Sequence, residues 1–535
     1  MAADDPYPSP PPTPSKAKVD PILRNALRYT ISAKEYKTLH QYFITRSPAA
    51  VRRRALPPPK YASLVQTKDD YNGAAIRASL RVFVAVQSSL KLWELIKANL
   101  LTRGRSQRTK ARTSLFECPN LRLSVSLSLI LLLHRILFRF FSRLRTNLLT
   151  KDAAPFRRRN PRISKSLTSR LAPAIGASLA GFALGIYPGD QLRISIAVYI
   201  ATRSLEIAYT ALEEDGWFRN RPWWWGSWML MPVACGQLLH AFVFDRDCFP
   251  KAYGDFILDH TPNYVQRRPS GYPPSLPWPS TSTIVDSLAE MSRLNWLPFI
   301  SPILFPLNQN TLPPSLSALA PITSSAHPSH TALSCATLHP TTPSCTTTFL
   351  QYILTAFPTL AKFFAAYYTV FSLPKYKKFI ASPTHELNLL AKRILRTAAF
   401  LTGAIGTSWG SICFFQYLFP RTLLPSARWF LGGFLGGMWG FVDRKGGKGH
   451  FMYSMRLSID SLWKVGVKRG YWKGMNGGDV AVFVAGLAVM NVVYEKQSSA
   501  IGGGMAKGIG WLRGEDLFGK RPAEEEQKEL NERVK

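Results

Sequence analysis

The chain has 535 residues, and 67 Lys and Arg against 32 Asp and Glu give it a net charge of +35. A mean hydropathy of -0.03 averages a polar, basic third with long apolar runs, so composition alone excludes neither a soluble nor a membrane class. Residues 1–170 hold 33 basic and 9 acidic side chains, and such an arm beside apolar segments points to an anionic membrane surface; with no zinc-finger or RNP pattern, nucleic acid is not an expected partner.

In chain order, residues 1–20 read as a disordered tail, acidic and proline-rich (MAADDPYPSPPPTPSK), with neither an apolar signal core nor an Arg-rich presequence. Insertion is therefore expected to rely on internal segments. Residues 21–170 read as a basic cytosolic arm of short helices. Within it, 121–142 (LRLSVSLSLILLLHRILFRFFS) carries Arg135, Arg139 and, just beyond, Arg143 at helical spacing between basic flanks, which favours an interfacial helix over a crossing.

Eight apolar stretches follow that reach or approach the length needed for a hydrocarbon layer of about 30 Å. They are 171–187, 192–212, 224–244, 351–373, 397–419, 428–442, 451–467 and 479–494. Between the third and fourth lies a proline-rich loop, 246–350, in which no long helical period is evident. The loops at 143–170 and 374–396 are strongly basic, whereas 245–350 holds more acids than bases. The positive-inside bias then puts the arm and the C-terminus in the cytosol and the long loop across the membrane. Residues 501–535 read as a C-terminal tail with a solvated helix in AEEEQKELNERVK.

The span 192–212 sets Arg203 and Glu206 three residues apart inside lipid-like sequence, and 253 residues later Arg456 and Asp460 repeat the pattern. Neighbouring matches keep a similar offset: Gly181 and Gly185 with Gly433 and Gly437, Gly216-Trp217-Phe218 with Gly470-Tyr471-Trp472, and Val243-Phe244-Asp245 with Val493-Tyr494-Glu495. This reads as an internal duplication of a glycine-packed helix, a charged helix, an aromatic turn and a second span. An unpaired charge at mid-bilayer costs about 2.5–3.5 kcal/mol, so each Arg and its acid are expected to share a helix face and neutralise one another. The stripe Arg456, Asp460, Lys464, Lys468 is expected to face the bundle interior. Its bland reading is a set of helix-locking ion pairs; its sharper one is a polar translocation path.

Close helix crossings are expected where glycines repeat every fourth residue: Gly181 with Gly185, Gly406 with Gly410, Gly432 with Gly436, Gly433 with Gly437, and Gly436 with Gly440. Trp223, Trp224, Trp225 and Trp228 fit an aromatic belt at one interface. Six scattered cysteines without CxxC spacing argue against a disulfide framework. Cys235, His240, Cys248 and His260 space as C-x4-H-x7-C-x11-H, which matches no structural zinc pattern, so no metal and no cofactor are expected. His240 and Asp245 have the H-x4-D spacing of membrane-bound glycerolipid acyltransferases, but Met490 stands where the repeat would need a second His. The acid therefore reads as structural and no enzyme is expected.

Several segments, PGDQLRISIAVYIATRSLE, RPWWWGSWMLMPVACGQLLHAFVFDRDCFPKAYGDFILDHTPNYVQRRP, GTSWGSICFFQYLFPR, RWFLGGFLGGMWGFVDR and SIDSLWKVGVKRGYWKG, together resemble fungal members of the transmembrane protein 135 family over about residues 171–515. The glycine-rich hairpins are also similar to those of the mitochondrial inner-membrane import channel family. The resemblance implies a multi-pass protein of peroxisomal membranes, or alternatively mitochondrial ones, linked to peroxisome organisation and lipid handling. The partners it implies are membrane lipids, other organelle membrane proteins or a second copy. The cysteine-rich N-terminal region of the animal members has no counterpart here, since residues 1–170 hold only Cys118.

The expected fold is thus an all-α polytopic bundle of about eight crossings and two related half-bundles: a first membrane repeat at 171–245 and a second half at 351–500 that contains repeat 433–495. With eight crossings the second copy enters the membrane in the opposite sense to the first.

Overall fold

The computed structural model describes residues 21–65, 71–101, 118–306 and 312–515, so the tail expected at 1–20 and residues 516–535 of the tail expected at 501–535 lie outside the described residues, while 501–515 include a helix with Arg513 buried. Among the described residues there is no strand, only one isolated bridge between Pro298 and Ala332. The helices that build the argument are α1 (Ala33–Tyr42), α2 (Tyr71–Leu101), α3 (Pro119–Leu149), α4 (Ala172–Ser178), α5 (Gln191–Glu214), α6 (Leu230–Phe244), α7 (Lys251–Asp259), α8 (Thr281–Arg293), α9 (Leu333–Leu338), α10 (Cys345–Ser372), α11 (Pro383–Leu418), α12 (Ala427–Gly437), α13 (Lys448–Lys468), α14 (Gly478–Lys496) and α15 (Gly503–Arg513).

Local chemistry sets their ends. Asp190 accepts from the backbone N–H groups of Leu192 and Arg193 at the start of α5, and Ser344 accepts from that of Thr347 at the start of α10. At the far ends of α5 and α13 the chain turns through the same device. Gly216 (φ 85°) and Gly470 (φ 75°) adopt the left-handed conformation. The N–H after each reaches five residues back, Trp217 to Leu212 O at 3.1 Å and Tyr471 to Gly466 O at 2.8 Å. α4 and α12 both run on into tighter 3-10 turns, Leu179–Ile186 and Met438–Phe441.

Among the described residues, five helices are long and apolar enough to cross a membrane: α3, Ser227–Phe244, α10, α11 and α14. A sixth results if Pro161–Thr168 and Ala172–Ile186, bent by 86° from one another, count as one broken span. This is fewer than the eight expected crossings. The charged side chains of α5 and α13 and the brevity of α12 keep 192–212, 451–467 and 428–442 out of that set. The segment expected to be interfacial lies in α3, where the basic stripe runs from core to surface: Arg135 is fully buried, donates from Nη2 to Trp511 O at 2.6 Å and lies over the Trp511 ring, whereas Arg139 is half-buried and Arg143 exposed.

The chain divides into two compact units, residues 1–217 with 476–535, and residues 218–475. In the first, α14 packs on α5 and α4, and α3 packs on α4 and α2. In the second, α6 packs on α12 and α13, while α11 packs on α12 and α10. α6 follows α5 in sequence yet belongs to the second unit, and α14 follows α13 yet belongs to the first. The long segment 246–350 is not an open loop: its Ile284, Leu288, Met291, Trp296, Leu316 and Leu338 are buried in the main core of the second unit. Prolines cut it into short helices, but Ile284, Val285, Leu288 and Met291 line one face of α8 behind an N-cap at Ser280, and that face supplies the burial.

Candidate functional site

The charged residues singled out on α5 and α13 both find partners within a helical turn. On α5, Arg203 Nη1 meets Glu206, whose side chain is 11% exposed. On α13, Asp460 is met by Lys464 Nζ at 2.7 Å from one turn after it, and half-buried Arg456 lies one turn before it. The next residue of that stripe turns elsewhere. Lys468 Nζ reaches Asp247 at 2.6 Å and Asp245 at 3.3 Å, and Arg469 Nη2 donates to Asp245 at 2.6 Å. Lys468 holds the exposed Asp247 carboxyl below its ordinary pKa, and the two acids raise that of Lys468. With its oxygens taken by these cations, Asp245 makes no hydrogen bond to His240, whose ring rests against Phe244.

The first unit holds a buried polar cluster that the sequence reading passed over. Asn491 Nδ2 lies 3.0 Å from Ser178 Oγ and 3.1 Å from His134 Nε2. Arg513, 3% exposed, donates to Asn491 O and to Glu495 Oε2, both at 2.7 Å. Arg193 forks onto Asp479, with Nη2 to Oδ1 at 3.1 Å. Part of the signal was available: Asn491 is the single polar residue of the run 480–493, and such residues face a bundle interior.

Glycine faces position these helices. On α12, Gly432 and Gly436 press against α11, where a methyl added at Gly436 would stand 2.6 Å from Ala404 O. Gly433 and Gly437, one residue round, press against α6, where a methyl at Gly437 would stand 2.6 Å from Met231 O. α12 is thus clasped on two sides at backbone distance. Gly440 sits near Met231, while Gly406 and Gly410 seat Tyr352 and Phe349 of α10 against α11. In the first unit Gly181 abuts Val484 and Phe483 of α14, whereas the nearest atom to a methyl on Gly185 is 3.9 Å away. Trp223, Trp224 and Trp225 are exposed and Trp228 is buried, so three of the four belt residues point outward.

Two further features lie in the second unit. An apolar cleft opens between α6, α7 and α11, lined by Leu238, Leu239, Phe242, Phe256, Leu401 and Trp409 among others. Near the starts of α9 and α10, Cys335, His339, Cys345 and Cys413 bring three thiols and one imidazole together, their ligand atoms all within 4.8 Å of one another. Cys235, His240, Cys248 and His260 form no such group among the described residues. The convergent set escaped the sequence reading because Cys413 stands far along the chain and reads as one more apolar residue of a span. No protein-family model, curated protein or solved structure matches the chain.

Proposed function

We propose that this chain is a multi-pass protein of the peroxisomal membrane that takes part in organising the organelle and passes lipid or a small apolar metabolite through its second unit. The observation that carries the reading is the cleft lined by Leu238, Phe242, Phe256 and Trp409 on helices that include two of membrane length. Its lining matches an acyl chain in polarity, and entry of one would widen a space of about 70 Å³. The pairing of Arg203 with Glu206 and of Lys464 with Asp460 supports an environment in which lone charges are costly. Peroxisomal rather than mitochondrial residence rests on the resemblance to the transmembrane protein 135 family.

The finer architecture belongs to the same proposal. The two charged helices end in the same left-handed glycine turn, each glycine helix runs into a 3-10 turn, and the acids Asp245 and Glu495 each meet an Arg. These shared details support two related half-bundles that have exchanged their third helices.

A photoactivatable fatty acid incorporated into liposomes with the purified chain tests the reading. Labelling should map to α6, α7 and α11, and Leu239→Trp should reduce it, whereas Val233→Trp, on the exposed side of α6, should not. Labelling spread evenly over all apolar helices would sink lipid transfer. A fluorescent fusion imaged with markers for both organelles tests the location, and an exclusively mitochondrial signal would replace the peroxisome.

A further inference from the structure

We propose that Cys335, His339, Cys345 and Cys413 bind one zinc ion as a closed structural centre, fastening the 246–350 segment to the hairpin of α10 and α11. The ligand spacing, C-x3-H-x5-C followed 68 residues later by the last Cys, draws on four places in the second unit: within α9, just after it, the first residue of α10 and the last turns of α11.

Three of the six ligand–ligand distances match a tetrahedral ion, and the rest lie within 4.8 Å. With Zn–S bonds of about 2.3 Å, two sulfurs around zinc stand about 3.8 Å apart, and with a Zn–N bond of about 2.0 Å a sulfur and a nitrogen stand about 3.5 Å apart. The structure has Cys335 Sγ 3.8 Å from Cys345 Sγ, Cys335 Sγ 3.6 Å from Cys413 Sγ, and Cys413 Sγ 3.5 Å from His339 Nε2. A disulfide needs a separation of about 2.05 Å, and all three cysteines are free thiols.

The imidazole is also set for ligation. His339 Nδ1 lies 2.8 Å from Thr342 O, which can only accept, so Nδ1 carries the proton and Nε2 presents its lone pair to the cluster. Fixing the tautomer through the outer nitrogen is the usual support for a metal-bound histidine. Three thiolates and one imidazole select zinc over hard cations, and four protein ligands leave no open position for chemistry. Cys335, His339 and Cys413 are buried while Cys345 is exposed, which gives an ion a side from which to enter.

The rest of the segment explains why a clasp is useful. Residues 312–345 form only short helices broken by Pro, Ser and Thr, and a bound ion contributes folding free energy directly where regular structure is sparse.

The full chain, purified in detergent without chelators, should carry one zinc per polypeptide by elemental analysis. Exchange with Co²⁺ should give the visible bands of a tetrahedral site together with thiolate charge-transfer absorption. Cys413→Ser and His339→Ala should each lower the metal retained after dialysis by more than the roughly tenfold typical of an outer-shell change. Cys118→Ser and Cys248→Ser should retain it. Because a ligand variant can misfold, the wild-type chain gives a second readout: a mercurial reagent should release zinc as it consumes three thiols. Folded wild-type chain from zinc-supplemented cells that holds no stoichiometric zinc and gives no cobalt band overturns the proposal. So does stoichiometric iron or copper, or a disulfide among the three cysteines.

Discussion

The two units solve the same problem at α4 and α12 in different ways. In the second unit, α12 is pressed between α6 and α11, and the backbones themselves are in contact through Gly433, Gly437 and Gly436. At the matching pair of the first unit, Gly181 is tightly covered by the side chains of Val484 and Phe483, and Gly185 has room to spare. Matching glycine spacings therefore do not imply matching packing. What a glycine face achieves depends on whether its neighbour is backbone, which cannot give way, or a side chain, which can.

The largest expected effect breaks this comparison directly. Gly437→Leu must displace the Pro232 and Met231 backbone and should destabilise the second unit by about 3 kcal/mol or more. Gly185→Ala, at the matching place in the first unit, should stay within about 0.5 kcal/mol. Thermal unfolding of both variants in the same detergent checks the pair, and equal losses would mean that the contrast in packing is not real.

A second contrast concerns the acids that close α6 and α14. The Asp245 side chain is 5% exposed between Arg469 and Lys468, whereas that of Glu495 is 23% exposed beside Arg513. Leaving a buried ion without its partner is severe, so Arg469→Leu, which strips the 5% exposed Asp245 of its 2.6 Å partner, should cost about 3 kcal/mol. Glu495→Gln keeps a hydrogen-bonding group near Arg513 and should cost about 1–2 kcal/mol. Reversal of that order in chemical unfolding would show that the wetter site is the tighter one.

Arg203→Leu and Lys464→Leu sharpen the comparison at smaller amplitude. Each leaves behind an acid whose side chain is 11% exposed, and each should cost about 1–2 kcal/mol. Flux of a lipid or small metabolite through liposomes carrying either variant separates a structural pair from a pathway. Folded protein that is less stable yet transports at the wild-type rate would end the pathway reading for that unit.

Much of this was legible in the sequence because the physics is local. Hydropathy located the helices at 224–244, 351–373, 397–419 and 479–494, and the spacing of Arg203 and Glu206 foretold their pairing. The α13 stripe was legible as a stripe, but its contacts with a second helix were not. Lys464 is as close in spacing to Asp460 as Arg456 is, and the draw of Asp245 and Asp247 on Lys468 and Arg469 comes from another helix. The segment 246–350 was misread as open because its helices are shorter than a sequence window and are divided by proline. The convergence of Cys413 with Cys335, His339 and Cys345 depends on a hairpin that returns to its starting end after 68 residues, which no motif of fixed spacing describes.

The smallest expected effect compares one surface ion pair from each unit during acidification. In the first unit Glu35 Oε2 accepts from the Ser32 backbone N–H at 3.0 Å, the Ser32 hydroxyl at 2.8 Å and Arg81 Nη2 at 2.6 Å. Partial burial works to raise the Glu35 pKa, but these hydrogen bonds outweigh it and hold it at about 2, against an ordinary 4.5. A depressed carboxyl contributes stability that is complete above 4.5 and is lost as the pH falls toward about 2. In the second unit Asp247, drawn below its ordinary 3.8 by Lys468, should lose its contribution only below that value. Both pairs are well exposed, so the amounts are small. Hydrogen exchange, corrected for intrinsic rates, should show α1 loosening from pH 4.5 downward, before the turn that holds Asp247 responds. Glu35→Gln should flatten the α1 profile, since an amide keeps one pH-independent set of partners. An unchanged profile in that variant would place the acid sensitivity of α1 in another group and leave the capping pair without an energetic role.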